Sequence, residues 1–114
     1  MYKLIIFVPI DSNEKFKEEL FKVGAGRLGD YSHCCFETIG TGQFKPLAGS
    51  NPTIGQQDKI EKVKEVKLEM IVDEKSIERV ITQLYVSHPY EEPAFDLIKL
   101  ENRKFSHLKS HANS

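Results

Sequence analysis

Apolar residues near the beginning of the chain occupy consecutive positions in a way that predicts a buried strand. The run covers residues 3–9, is rich in β-branched and aromatic side chains, and ends at Pro9. The apolar side chains are Leu4, Ile6 and Val8 on one face of such a strand and Ile5 and Phe7 on the other. A strand that is apolar on both faces lies in the centre of a sheet and is covered on both sides.

Two segments, 14–23 and 75–87, show the spacing of amphipathic helices. The apolar positions at that spacing are Phe16, Leu20 and Val23 in the first segment and Ile77, Val80, Ile81, Leu84 and Tyr85 in the second. We expect Asp11 to cap the first helix, with Glu14 completing a capping box, and Asp73 to cap the second.

Three further strands are predicted at 34–39, 66–72 and 94–100. The resulting order, βαββαβ, predicts an α+β fold of the ferredoxin-like split βαβ type, with an antiparallel sheet and both helices on one face. We expect residues 1–100 to form a single domain. Residues 101–114 are polar, and we expect them to form a frayed C-terminal tail.

Composition narrows the function without identifying it. The 114 residues fit one domain, and the formal net charge of -1 gives no basic field for nucleic acid. No apolar run reaches the roughly 18 to 20 residues that span a bilayer, and no signal peptide is recognisable, so we expect a cytoplasmic protein without membrane contact. The adjacent Cys34 and Cys35 are expected to be reduced thiols.

Three segments of unusual sequence carry a resemblance to a known family. They are GAGRLGDYSHCCF at 24–36, GTGQFKP at 40–46 together with NPTIG at 51–55, and HPYEEPAFD at 88–96. Over residues 3–100 they resemble the inserted domain of the NIF-three-like family (NGG-one-interacting factor three). The HPYE piece also resembles the closing motif of CutA proteins.

This resemblance implies a PII/CutA-like fold and assembly into a homo-oligomer, most often a trimer. In larger family members the domain is inserted in a body that carries a two-metal site. The His- and Asp-rich segments of that site are absent from this sequence, as in the stand-alone, YqfO-type proteins, so we expect no enzymatic activity. Ile5 and Phe7, with Ile71 of the third strand, give the open sheet face an apolar patch that also favours self-association.

Candidate ligand-binding residues lie in the loop 43–59, which is long for a structureless connection, in the corner 88–93, and at position 31, just before the second predicted strand. They are Tyr31, Phe44, His88, Tyr90, Glu91 and Glu92. The corner holds an imidazole, a phenol and two carboxylates between rigid prolines, and we expect it beside the loop and near a subunit boundary. The alternative is structural: the corner only joins helix to strand, and Phe44 and Ile54 only plug the trimer edge.

A divalent metal ion such as zinc is the one cofactor that the residue types suggest, with His33, Cys35 and His88 as candidate ligands. On a strand, His33 and Cys35 would face the same side and Cys34 the other. A cysteine at such a position also serves as a small buried apolar residue.

The sequence therefore predicts a non-catalytic, PII-like oligomeric domain that binds a small ligand or metal ion and acts as a regulatory or interaction module. A structural module without a ligand of its own is the first alternative. A weak metal-dependent hydrolase that uses His88 and nearby carboxylates is the last. The chain has no recognisable nucleophile turn, which favours the non-catalytic interpretation. The sequence does not identify the ligand or the protein partner.

Overall fold

The computed structural model of the protein describes residues 1–112, and its first six elements follow the predicted order. The strands are β1 (Tyr2–Pro9), β2 (Phe36–Phe44), β3 (Glu61–Val72) and β4 (Phe95–Lys99). The helices are α1 (Ile10–Lys22), α2 (Ile77–Ser87) and α3 (Leu108–Ala112), with a 3₁₀ turn at Asn102–Phe105. The strands form one sheet in the order β2-β3-β1-β4, and each neighbouring pair is antiparallel. With α1 and α2 on one side of the sheet, the ferredoxin-like α+β prediction is confirmed.

The hydrophobic core lies between the sheet and the helices α1 and α2. Its buried members are Leu4, Ile6 and Val8 from β1, Val66, Leu68, Met70 and Val72 from β3, Phe16 and Leu20 from α1, Ala25, and Val80 and Leu84 from α2. Each buried aliphatic or aromatic side chain contributes about 1.5–3 kcal/mol relative to its exposed state. A slip of one residue would turn the alternating set on β1 or β3 to the other face, so this set fixes the register of the sheet.

The opposite face of the sheet carries the side chains of β1 and β3 that alternate with the core residues. Ile5, Phe7 and Ile71 are half-buried there. Lys3 on β1 and Glu69 on β3 form an ion pair at 3.6 Å beside them. The apolar patch predicted from the first strand therefore lies on the face turned away from α1 and α2.

The predicted helix caps are wrong. α1 begins at Ile10, directly after Pro9, and no side chain caps it, so Asp11 lies inside the first turn. The fixed φ of a proline suits a direct passage from strand to helix, which leaves no separate capping position for Asp11. α2 begins at Ile77 after Ser76, and Asp73 contacts the Arg103 guanidinium instead of capping it.

The strand β2 begins later and ends later than predicted. Residues 31–35 form a loop before β2, and His33 adopts a positive φ of 59°. The glycines at 40 and 42, which were expected to end the strand, lie inside it and pair with β3. Because β3 already begins at Glu61, the two strands form a longer hairpin than their apolar pattern indicates.

The C-terminal segment is more ordered than the predicted frayed tail. It contains the 3₁₀ turn and α3, both exposed, and the contact between Arg103 and Asp73 joins it to the domain. The last two positions of the predicted tail, 113 and 114, lie outside the described residues. In the part of the chain that the structure covers, no helix is both long and apolar enough to cross a bilayer.

Candidate functional site

A cavity of about 590 Å³ lies on the open face of the sheet, where β1 ends. Phe7 and Glu65 line it from the central strands, and Phe44 lines it from the end of β2. The loop that follows β2 and the corner that follows α2 close its sides, and Tyr90 belongs to that corner. Its lining is mainly apolar with a few polar groups, which is the usual composition of a small-molecule site.

The corner is held by His88, a side chain that is only 7% exposed. Its Nε2 lies 2.7 Å from the Phe7 carbonyl oxygen, and the Tyr90 backbone N–H lies 3.0 Å from Nδ1. The amide can only donate, so Nδ1 accepts and Nε2 carries the proton that is donated to the carbonyl. Burial lowers the pKa of His88, although the Phe7 carbonyl and the Glu65 carboxylate oppose this effect. The imidazole therefore acts as a neutral brace between the corner and β1.

Tyr90 reaches across the sheet to Glu65. Its hydroxyl donates a hydrogen bond of 2.8 Å to Glu65 Oε2, and Glu65 itself is 8% exposed. Burial, followed by the hydrogen bond and charge of Glu65, raises the pKa of Tyr90 well above its usual range. The phenol therefore remains a hydrogen-bond donor at neutral pH.

A glycine makes room for the Glu65 carboxylate. A β-carbon added at Gly42 would lie 1.7 Å from Glu65 Oε1 and 2.5 Å from its Cδ. The carboxylate therefore occupies space beside the neighbouring strand β2 that the side chain of any other residue at position 42 would fill. At Gly40, by contrast, an added β-carbon would meet nothing within 4 Å.

The end of β2 and the loop that follows it contact the corner at three points. The rings of Phe44 and Tyr90 lie 5.7 Å apart, the Asn51 N–H donates to Glu91 Oε1 at 3.1 Å, and the Thr53 hydroxyl donates to the Pro89 carbonyl at 2.7 Å. The expectation that Tyr90 and Glu91 lie beside this loop is confirmed. The two walls of the cavity are therefore coupled.

A separate polar cluster joins α1 to the start of β2. Glu37 accepts hydrogen bonds from Lys17 and, at 2.7 Å, from Asn13, and Lys17 also donates to Glu14. Burial acts to lower the pKa of Lys17, but the hydrogen bonds to Glu37 and Glu14 outweigh it and raise the pKa to about 12. The Lys17 ammonium lowers the pKa of Glu37 in return. Asn13 is 3% exposed, and its Oδ1 has no hydrogen-bond partner among the residues described.

Comparison with known proteins identifies relatives of this domain. No protein-family model matches the chain. A protein of Halalkalibacterium halodurans named GTP cyclohydrolase 1 type 2 homolog is 48% identical over 102 residues, which are 90% of this chain. A Staphylococcus aureus protein of the same name is 44% identical over 88% of the chain. The crystal structure of a Bacillus cereus protein related to NIF3 superposes on 89% of the chain with a TM-score of 0.75 and 38% identity. Over most of its length the chain is similar to one part of a NIF3-related protein, and on that basis we call it a NIF-three-like domain.

The match covers only part of these relatives. The chain spans 27% of the length of the two named relatives and 26% of the Bacillus cereus protein. Two CutA structures share the fold of this NIF-three-like domain at low identity. The PII-like CutA from a Nostoc species has a TM-score of 0.65 at 19% identity, covering 91% of this chain and 85% of its own. CutA1 from Pyrococcus horikoshii has a TM-score of 0.66 at 22% identity, covering 96% and 92%.

Most of the predicted ligand residues of the NIF-three-like domain come together. Phe44, Tyr90, Glu91 and Glu92 line the cavity, and His88 lies behind its wall. Tyr31 does not belong to the site, because it lies in the loop before β2, is 74% exposed and is absent from the cavity lining.

Three further lining residues, Phe7, Gly42 and Glu65, were missed as site residues. Phe7 was assigned only to the apolar sheet face. Gly42 was interpreted as the end of a strand, and Glu65 occupies a polar position in an alternating strand, which is typical of a solvent-facing residue. The hydrogen bond from Tyr90, which is 25 positions along the chain, is what distinguishes Glu65 from a solvent-facing glutamate.

The proposed metal ligands His33, Cys35 and His88 are not gathered into one site. Within residues 1–112, no group of three or more His, Cys, Asp or Glu side chains is placed to hold a metal ion. His33 packs on the Phe21 ring at 4.7 Å, whereas both nitrogens of His88 are hydrogen-bonded to backbone. His33 and Cys35 lie in a loop rather than in a strand, so the alternation of side chains on which the prediction depended does not apply. Burial, with the Glu37 carboxylate, raises the pKa of Cys35 despite the opposing Lys17.

Proposed function

We propose that this NIF-three-like domain is a non-catalytic regulatory or interaction module that binds a small ligand in the cavity between the loop and the corner. The observation that carries the proposal is the cavity itself, about 590 Å³ in volume, with aromatic walls and a few fixed polar groups. Such a combination of apolar lining and oriented polar groups suits the binding of one small molecule. The similarity to part of a NIF3-related protein and the PII/CutA-like fold are compatible with a regulatory role.

The chemistry of the cavity residues favours binding over catalysis. A general base needs a free nitrogen or carboxylate within reach of the substrate. Neither the imidazole nor the phenol of the corner supplies such a base, because His88 uses both nitrogens on backbone groups and the pKa of Tyr90 is raised. The raised pKa of Cys35 likewise disfavours the thiolate that a nucleophile requires. The name of the longer relatives is a homolog label, and this chain spans only 27% of their length, so we do not assign that activity to the domain.

Self-association is the second part of the proposal, with a cyclic homotrimer in the cytoplasm as the expected form. Half-buried Ile5, Phe7 and Ile71 form an apolar patch beside the Lys3–Glu69 ion pair. An apolar centre with a charged border is the usual composition of a protein interface.

Light scattering on size-exclusion fractions tests the assembly. Wild-type protein at micromolar concentration should have the mass of an oligomer, and Ile71→Lys should have the mass of a monomer. Val86→Lys is the matched control, since Val86 is an exposed apolar residue on α2. A monomeric wild type, or an Ile71→Lys variant that assembles like the control, would contradict the proposal.

A thermal-shift screen against metabolites, nucleotides and divalent ions including Zn²⁺ tests ligand binding. A ligand that binds the folded state raises the midpoint of unfolding by mass action. Any hit should also stabilise Tyr31→Ala, whose side chain lies outside the cavity, but should stabilise Phe44→Ala much less. If no compound raises the midpoint, the structural-module alternative is the better description. A hit that acts equally on both variants would place the ligand elsewhere.

A further inference from the structure

Glu65 is a buried carboxylate without a cation. It is 8% exposed and lines the cavity. Among residues 1–112 its one hydrogen bond is the Tyr90 hydroxyl on Oε2, and it takes part in no ion pair. Burying a carboxylate without a counter-charge is costly, so proteins pair such groups with a cation or a strong set of donors. One neutral phenol supplies only part of that compensation.

Neighbouring residues hold this carboxylate in one position. Tyr90 holds one oxygen, and the other lies over Gly42, where no other residue would leave space. Tyr90 is itself fixed, because its amide donates to His88. The carboxylate is thus held in place at the cavity before any ligand arrives, which lowers the entropic cost of binding.

The charge around the cavity has one predominant sign. Its lining includes three carboxylates, those of Glu65, Glu91 and Glu92, whereas Lys45 supplies the only positive charge among the lining residues within 1–112. The Glu91 carboxylate already accepts the Asn51 N–H. A phosphate or carboxylate ligand would be repelled here, whereas an organic cation would gain a charge-assisted hydrogen bond.

The aromatic residues of the cavity suit the uncharged body of an organic cation. Phe44 and Tyr90 lie 5.7 Å apart at a tilt of 58°, and Phe7 completes the apolar lining near Glu65. Aromatic rings accept cations on their faces and hold flat apolar groups between them.

We infer that the cavity selects a small organic cation, an amine, amidine or guanidine with an aromatic or alkyl body, whose charged end pairs with Glu65. This inference rests on the proposed ligand-binding function and adds the class of ligand. The Glu65 carboxylate is the group that determines specificity, and Phe44 and Tyr90 hold the apolar body.

Three isosteric probes test the inference by calorimetric titration of the full chain: phenethylamine, 2-phenylethanol and phenylacetate. The protonated amine should bind, the alcohol should bind at least about tenfold more weakly, and the acid should not bind detectably, because a hydrogen bond to a charged group is worth about tenfold or more in affinity. Glu65→Gln retains an acceptor for Tyr90 and should weaken amine binding by a similar factor. Glu78→Gln is the matched control: it removes the same charge from an exposed residue of α2 outside the cavity lining and should change affinity less than about twofold.

The outcomes separate this inference from the proposed function. Tighter binding of the acid or the alcohol than of the amine would overturn the inference and leave ligand binding intact. Equal losses in Glu65→Gln and Glu78→Gln would also overturn it, since overall charge alone would then explain the preference. If none of the probes binds and Glu65→Gln changes the mass of the oligomer, the missing cation is a basic side chain of a second copy, and the inference fails. If the broad thermal-shift screen also yields no ligand, the proposed function fails with it. The comparison of the three probes on wild-type protein remains decisive even if Glu65→Gln does not fold.

Discussion

Replacing His88 with alanine tests whether the imidazole holds the corner. The change removes the partner of the Phe7 carbonyl, 2.7 Å away, and of the Tyr90 amide, 3.0 Å away. It also removes an edge-on contact with the Phe16 ring, whose centroid lies 5.2 Å from that of the imidazole. Each hydrogen bond is worth about 1 kcal/mol net and the ring contact about 0.5–1.5 kcal/mol. We expect the free energy of unfolding to fall by about 2–4 kcal/mol at pH 7.5, more if the two backbone groups stay buried and unpaired.

The pH dependence of this loss follows from the lowered pKa of His88. Because burial lowers the folded pKa below the usual 6.5, the unfolded chain takes up a proton more readily than the folded domain does. The stability contributed by the neutral imidazole is therefore fully present above about pH 6.5 and is lost as the pH falls through the folded pKa. His88→Ala lacks this titration, so the difference between wild type and variant should narrow as the pH falls from about 7.5 to 5.

Urea denaturation followed by circular dichroism at several pH values measures both effects. His33→Ala is the matched control, because the His33 ring is exposed and lies in a loop, and it should change stability by less than about 0.5 kcal/mol. A His88→Ala variant within that range of the wild type would refute the role of the brace. A loss that stays constant from pH 7.5 to 5 would show that the pKa of His88 is the same in the folded and unfolded states, contrary to the lowering that we infer from its burial.

Two further predictions concern residues that join the strands to their surroundings. Gly42→Ala should displace Glu65 and cost about 1 kcal/mol through its lost hydrogen bond, whereas Gly40→Ala should stay within about 0.5 kcal/mol of wild type; equal effects in urea denaturation would contradict the steric account. Glu37→Gln should cost about 1–2 kcal/mol at pH 7 through the lost ion pair with Lys17. Because the folded pKa of Glu37 is lowered, the stability that its carboxylate contributes is present above pH 4.5 and is lost as the pH falls through the folded pKa. A loss of stability in Glu37→Gln that is as large at pH 3 as at pH 7 would therefore argue against the ion pair.

The order of the elements could be predicted because it depends on periodicity. Leu4, Ile6 and Val8 repeat at the strand period, and Val80 and Leu84 repeat at the helix period, so each element carries its own signal. The helix starts could not be predicted as well. A residue type that often caps, such as Asp11, has no effect when the preceding proline already directs the chain into the helix.

The candidate site was predictable where the chain contains rigid residues. The prolines of the corner and the loop after β2 indicated two irregular segments, and their contact follows from the sheet order. The role of Glu65 was not predictable, because its burial depends on Tyr90 crossing from a distant part of the chain. The candidate metal ligands do not form a cluster, because residues 31–35 form a loop rather than a strand. The Cys34 N–H donates a hydrogen bond to the Gly26 carbonyl and holds that loop.

The long hairpin of β2 and β3 has a consequence for motion. Nearly every residue of β2 is exposed, and among residues 1–112 its outer edge pairs with no strand. Beyond Gly40 the hairpin extends past β1 as a two-stranded ribbon. Such a ribbon with little apolar cover is marginally stable, so its amide protons should exchange with solvent through local opening, well before those of the central β1. One wall of the cavity is attached to this ribbon. A ligand that joins Phe44 to Tyr90 would therefore slow exchange along β2 while leaving the helices unchanged, and the domain could report an occupied cavity to another protein by a change in the mobility of one edge.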